Sequence, residues 1–155
     1  VLGSRGLGDV YKRQYMNKLF TIDAVFLNED RHTHNIAILM NQDGKFAYCP
    51  IFDNGAGLLA DTTLDYPMGQ DVYMQMQEVC AKTISPDFDE QLDVSEKLYG
   101  NRLKFYFNPK DVSDLLDGIK IYSSDEKNRV KDILLTQMKK YAYLFKSCEV
   151  ENGRL

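Results

Sequence analysis

The sequence predicts an α+β fold, mainly α, in which a single β-hairpin packs on a helical bundle. Three observations carry this. Apolar residues recur at helical spacing over residues 15–27 and again over 109–146. Two β-rich runs, NIAILMN and KFAYCPI, flank the turn sequence Asp43-Gly44. Helix-start signals punctuate the second half, the clearest being Asn108-Pro109, a capping residue followed by proline at the first helical position.

Taken in order, Tyr15, Leu19, Ile22 and Phe26, with Val25 and Leu27 alongside, predict a helix over 15–27. It runs straight into the polar stretch FLNEDRHTHN, Phe26 to Asn35. The hairpin follows, and Pro50, which has no N–H to donate, confines its second arm to an edge or a bulge. Residues 56–85 read as a loop and then a short helix, although Met74 and Met76 alternate as in a strand while Val72, Met76, Val79 and Cys80 fit a helix. Ser85-Pro86 breaks the chain, and DFDEQLDVSEKLYG makes a helix ended by Gly100. Val112, Leu115, Leu116 and Ile119 form the buried face of the helix that starts at Pro109. Ser123 and Glu126 make a capping box for the last helix. Its stripe of Val130, Ile133, Leu134, Met138, Tyr141, Leu144 and Phe145 runs to about Lys146, and residues 149–155 read as a frayed tail. One hairpin is not stable alone and must pack on these helices, which is the organisation of half of a domain pair.

Composition narrows the function classes. The 155 residues carry 44% hydrophobic and 27% charged side chains, as an ordinary globular domain does. No apolar run approaches the roughly 18 residues that cross a membrane. Cys49, Cys80 and Cys148 are odd in number and far apart, which fits a reducing cytoplasm and supplies no CxxC zinc pair. The formal charge of −4, without basic clusters, argues against binding a nucleic-acid backbone or an anionic membrane.

Residues 1–14 read as foreign. DVYKRQ, Asp9 to Gln14, is what the adapter sequence GATGTGTATAAGAGACAG encodes, so the segment is expected to be non-native and the protein to continue upstream. Setting it aside removes Arg5, Asp9, Lys12 and Arg13 and leaves a charge of about −6 on the remainder. GLGDVYK imitates a phosphate-covering glycine loop. The chain between Gln14 and Asp30 is too short for the strands and helix that such a loop needs.

The hairpin decides what the polar stretch can do. Centring its turn near Gly44 pairs Met40 with Tyr48, Ile38 with Pro50, and Asn35 with Asp53. Opposed residues in such a ladder lie about 5 Å apart at the backbone. An amide oxygen and a carboxylate would then meet beside Asp30 and form a hard-oxygen site suited to magnesium on nucleotide phosphates. Asn54-Gly55 supplies a tight turn that aims the Asp53 carboxylate into the cleft. Asp30 is left to orient a substrate hydroxyl and accept its proton. Arg31 reads as a solvated charge, His34 as exposed, Asn28 and Glu29 as residues that shape the loop, and Phe52 as core behind Asp53.

D-x-H-x-x-N followed after a hairpin by F-D-N-G resembles the catalytic half of HipA-type serine/threonine kinases and, more distantly, phosphatidylinositol kinases. The resemblance covers roughly residues 15–146. It implies a protein-kinase-like C-terminal lobe, taken here as 15–148, whose N-terminal lobe with its phosphate-covering loop and lysine is missing. It also implies ATP-dependent phosphoryl transfer to a protein serine or threonine hydroxyl. Asp30 would be the catalytic base, His32 the brace of the loop and of the metal aspartate, and Asn35 and Asp53 the ligands of Mg2+ and, through it, of ATP. An antitoxin-like or DNA-binding partner protein is implied as well, with no direct contact to nucleic acid. The motif leaves open whether the acceptor belongs to a protein, a lipid or a small molecule. Without the other half of the cleft the chain is expected to lack kinase activity, and robust ATP hydrolysis by residues 15–155 would contradict that.

Two other readings compete. A pseudokinase or partner-binding lobe would bind Mg-ATP without transferring phosphate. A metallohydrolase would use His32-x-His34 with Asp30 or Asp53, but the chain holds only these two histidines and no evident third soft ligand. Tight zinc retention without nucleotide binding would favour the hydrolase.

Overall fold

A computed structural model describes residues 2–101 and 103–146. It is mainly helical, with one two-stranded antiparallel sheet. The tail at 149–155 and Cys148 lie outside the described residues. The chain divides into two compact units, Val1–Leu103 and Lys104–Leu155.

The first unit opens with α1, Leu2–Phe26. The helix starts well before the expected residue 15 and runs through the adapter-like segment. Its buried face is also wider than the sequence suggests. Leu19, Phe20, Ala24 and Val25 are buried, but so are Asn17, Thr21 and Asp23, while Ile22 and Phe26 are half-buried. These three buried polar side chains find partners, as burial requires. Asn17 Nδ2 donates to Ser95 Oγ at 3.1 Å, and Thr21 Oγ1 donates to the Asn17 carbonyl at 2.7 Å. α1 ends with Leu27 in the left-handed region, at φ 51°, and the Asn28 N–H reaching back to the Asp23 carbonyl at 2.9 Å. This six-to-one bond ends many helices on glycine; here a leucine takes the position and bears the steric cost.

The strands are β1, Ile38–Met40, and β2, Phe46–Tyr48. Their register pairs Ile38 with Tyr48, Leu39 with Ala47 and Met40 with Phe46. The expected pairs Met40–Tyr48, Ile38–Pro50 and Asn35–Asp53 are therefore wrong. Asn41 is the cause. Its side-chain oxygen accepts from the N–H groups of Asp43 and Lys45 at 3.0 and 2.8 Å, which centres the turn on Asp43. Gly44 supplies the one positive φ that the turn needs, 72°. The ladder's last bond, Cys49 N–H to the Ala37 carbonyl at 2.9 Å, stops short of Pro50. Ile38, Leu39, Met40 and Phe46 all stay exposed, so the ribbon is apolar without being buried. Tyr15 of α1 stacks on Tyr48 with ring centroids 4.2 Å apart.

A loop then leads to α2, Val72–Glu78, and to α3, Phe88–Tyr99, which packs on α1. Both helices begin on an aspartate cap, Asp71 and Asp87, and α3 ends on Gly100 at φ 73°. These match the expected short helix and glycine stop.

In the second unit α4, Pro109–Gly118, packs against α5, Ser124–Lys140. Both expected caps form: Asn108 with Asp111, and Ser123 with Glu126, each a reciprocal box. Asn108→Ala is expected to cost about 1 kcal/mol of stability, read by urea denaturation. Val112 and Leu116 are buried, but Leu115 is 68% exposed, which narrows the expected face. α5 also ends six residues early. Phe105 explains this: its N–H donates to the Leu144 carbonyl and its own carbonyl accepts from Lys146 N–H, so the chain unwinds into a bridge. Tyr141 and Leu144 remain buried, and Phe105, Phe107 and Phe145 pack ring on ring. Among the described residues no helix is long and apolar enough to cross a membrane.

Candidate active site

Asp23 and Arg31 build the centre of the polar stretch. Asp23 sits on the last turns of α1 with 0% exposure, and Arg31, eight residues on, is 1% exposed. The guanidinium meets the carboxylate through two nitrogens, Nη2 to Oδ1 at 3.0 Å and Nε to Oδ2 at 3.0 Å. Asn28 Nδ2 adds a third donor at 2.8 Å. Burial outweighs these bonds and raises the Asp23 pKa. A raised carboxyl pKa means that ionised Asp23 costs stability as pH climbs out of the ordinary carboxylate range towards its folded value. The pair therefore specifies an arrangement more than it stabilises the fold.

What Arg31 arranges is the meeting of the two motif segments. Its Nη1 donates to the Phe52 carbonyl at 2.6 Å and to the Asn35 carbonyl at 3.4 Å, while Nη2 reaches Asn54 Oδ1. The expectation of a solvated Arg31 is overturned, because its five donors are spent inside the protein. Asn35 and the residue before Asp53 thus share one nitrogen, although the two positions are not ladder partners.

The predicted site residues fall around this clamp. Asn35 is 4% exposed and ends the short 3-10 turn Thr33–Asn35. Its Nδ2 donates to the Asp30 carbonyl at 3.0 Å, which leaves Oδ1 as the amide atom available to a cation. The Asp30 carboxylate is half-exposed, 3.4 Å from Lys82 Nζ and 4.0 Å from His32 Nε2. His32 caps the 3-10 turn, its Nδ1 accepting from the His34 N–H at 3.2 Å. It braces the loop; the tie towards Asp53 runs through Arg31 instead. His34 is exposed, as expected.

Asp53 is exposed and itself adopts φ 56°, so the left-handed turn falls on the aspartate and not on Gly55. Aspartate tolerates that region better than most residues. Leu58 and Leu59 follow at φ 58° and 55°, with the Leu58 N–H bonded to the Phe26 carbonyl at 2.7 Å. Such strain persists only where surrounding contacts enforce it. Phe52 is 36% exposed, so it does not form the expected core behind Asp53.

Glu29 accepts a hydrogen bond from Tyr66 at 2.8 Å, and burial together with this bond raises the Tyr66 pKa strongly. The loop between Leu58 and Tyr66 is thereby pinned to the polar stretch. Thr83 Oγ1 adds a second pin, donating to the Arg31 carbonyl at 2.7 Å.

No family profile, curated protein or solved structure matches this chain.

Among the described residues no group of three or more His, Cys, Asp or Glu side chains is placed to hold a metal. The donors Asn35 Oδ1 and Asp53 nevertheless suit magnesium, which takes one or two protein oxygens and completes its shell with water and phosphate. His32 Nδ1 is already engaged by the backbone, and among the described residues His32 and His34 gain no third soft ligand. Asp23, Arg31, Tyr66 and Lys82 were missed as contributors to this site. Asp23 had left one trace in the sequence: a lone carboxylate inside the apolar run TIDAVFL needs a cationic partner once that run is buried.

Proposed function

We propose that this chain is the catalytic lobe of a HipA-like kinase, which moves the γ-phosphoryl group of ATP to a serine or threonine hydroxyl. One observation supports this above the motif itself. Arg31 binds the Asn35 and Phe52 carbonyls on the same nitrogen, which ties the D-x-H-x-x-N loop to F-D-N-G. Arg31 pairs with buried Asp23 and spends its remaining donors on joining these two segments.

In this reading Asn35 Oδ1 and Asp53 would hold magnesium, whose charge would neutralise the phosphates. Asp30, half-exposed at the loop's mouth, orients the acceptor hydroxyl and takes its proton. The clamp joins the backbone of the two segments that carry these groups before substrate arrives, and preorganisation is where phosphoryl transfer gains most of its rate. His32 holds the 3-10 turn that delivers Asn35.

Incubation of the full-length protein with γ-labelled ATP and Mg2+ tests the reading. Acid-stable label on serine or threonine, lost on adding a chelator, is expected. Absence of both nucleotide binding and transfer, with zinc retained through dialysis, would move the assignment to the His-x-His hydrolase.

A further inference from the structure

Lys82 lies 52 positions beyond Asp30, yet its Nζ stands 3.4 Å from Asp30 Oδ1. This is not a lysine on a loose surface loop. Ala81 before it is 4% exposed, and its N–H bonds to the Pro86 carbonyl at 2.8 Å. Thr83 after it is bonded to the carbonyl of buried Arg31, and the Ile84 N–H is held by Gln91 Oε1 at 3.0 Å. The backbone is thus fixed on both sides, while the Lys82 side chain is 55% exposed.

The charge balance around it is uneven. Arg31 is consumed by Asp23, and the polar stretch and its neighbour then present the carboxylates of Glu29, Asp30 and Asp53. Lys82 is the one lysine or arginine that the described contacts bring to any of those three. A site for polyphosphate needs cations, and this one is held by a weak bond: a half-exposed ion pair at 3.4 Å is worth little and exchanges readily. A phosphoryl dianion with three acceptor oxygens is a stronger partner for an ammonium than one solvated carboxylate.

We propose that Lys82 is the phosphoryl-binding cation of this site, parked on Asp30 in the free protein and transferred to the terminal phosphate of a bound nucleoside triphosphate. The inference rests on the kinase reading above. Moving the ammonium to phosphate also frees the Asp30 carboxylate to face the acceptor hydroxyl, so binding of the nucleotide uncovers the base. Lys82 thereby links occupancy of the donor site to readiness of the acceptor site.

The test compares Mg-ATP with Mg-ADP by titration calorimetry on the full-length protein, which carries this lobe together with the upstream one, as wild type, Lys82→Met and Lys82→Arg. Lys82→Met is expected to weaken ATP about tenfold and leave ADP unchanged, because only the terminal phosphate is contacted. Lys82→Arg should restore most of the ATP affinity, since it keeps the charge. The side chain is more than half exposed, so the variants should match wild type in circular dichroism. Equal losses for ATP and ADP, or none for either, would overturn the role of Lys82 while leaving the kinase reading in place. A wild type that binds neither nucleotide would remove the kinase reading, and this inference with it.

Discussion

Arg31→Met is expected to lower stability by about 3–5 kcal/mol, a large share of the roughly 5–15 kcal/mol that keeps an ordinary domain folded. The substitution strands the Asp23 carboxylate at 0% exposure, with Asn28 as its remaining side-chain donor. It also releases the Phe52 and Asn35 carbonyls. Asp23→Leu should be comparably damaging, because it leaves the guanidinium buried and uncompensated. Combining the two removes both charges, and the double variant should recover most of the lost stability. Urea denaturation of all four proteins gives the comparison. A single-variant loss below about 1 kcal/mol would mean that the buried pair rehydrates easily and does not organise the loop. The double variant separates folding from assembly of the site: it should be stable, yet bind Mg-ATP poorly, since nothing then ties Asn35 to the F-D-N-G turn.

The second large effect falls on the chemistry. Asp30→Ala and Asp53→Asn should each lower phosphotransfer by about a thousandfold or more, in a chain that carries this lobe together with the upstream lobe the resemblance implies. Asparagine is chosen at 53 because it accepts φ 56° and so spares the turn, leaving ligation as the property lost. The carboxylate of Asp30 is half-exposed, and Asp53 has no hydrogen bond or ion pair among the described residues, so neither change should unfold the protein. Mg-ATP affinity tells the two roles apart. Asp53→Asn should lose it, while Asp30→Ala should keep it and lose transfer alone. Wild-type turnover by either variant would end the assignment.

Signals confined to a few residues were legible in the sequence. Asn108-Pro109, the Ser123–Glu126 box and Gly100 each end or start a helix where the sequence reading put it, because capping is a bond between near neighbours. The hairpin's existence was legible for the same reason, but its register was not. Apolar runs on both arms tolerate either alignment, and one side chain, Asn41, selects between them. The end of α5 was misplaced because the apolar stripe continues into the 3-10 turn that Phe105 bridges. The candidate site was half legible. Asp30, His32, Asn35 and Asp53 stand out by residue type, but the expected cross-strand meeting of Asn35 and Asp53 does not occur. A buried arginine brings their segments together, and a lone arginine in a polar loop gives no sign in sequence that it will be buried.

Neither strand of the ribbon has an outer neighbour among the described residues, so both present open rows of amide donors and acceptors. Ile38, Leu39, Met40 and Phe46 coat it with grease, and the nearest ionic residues, Asp43 and Lys45, sit at its tip. Ribbons of this kind zip onto one another when crowded, which makes the segment a seed for precipitation in concentrated stocks. A lysine placed at position 39 would act as a gatekeeper without touching a single residue of the clamp.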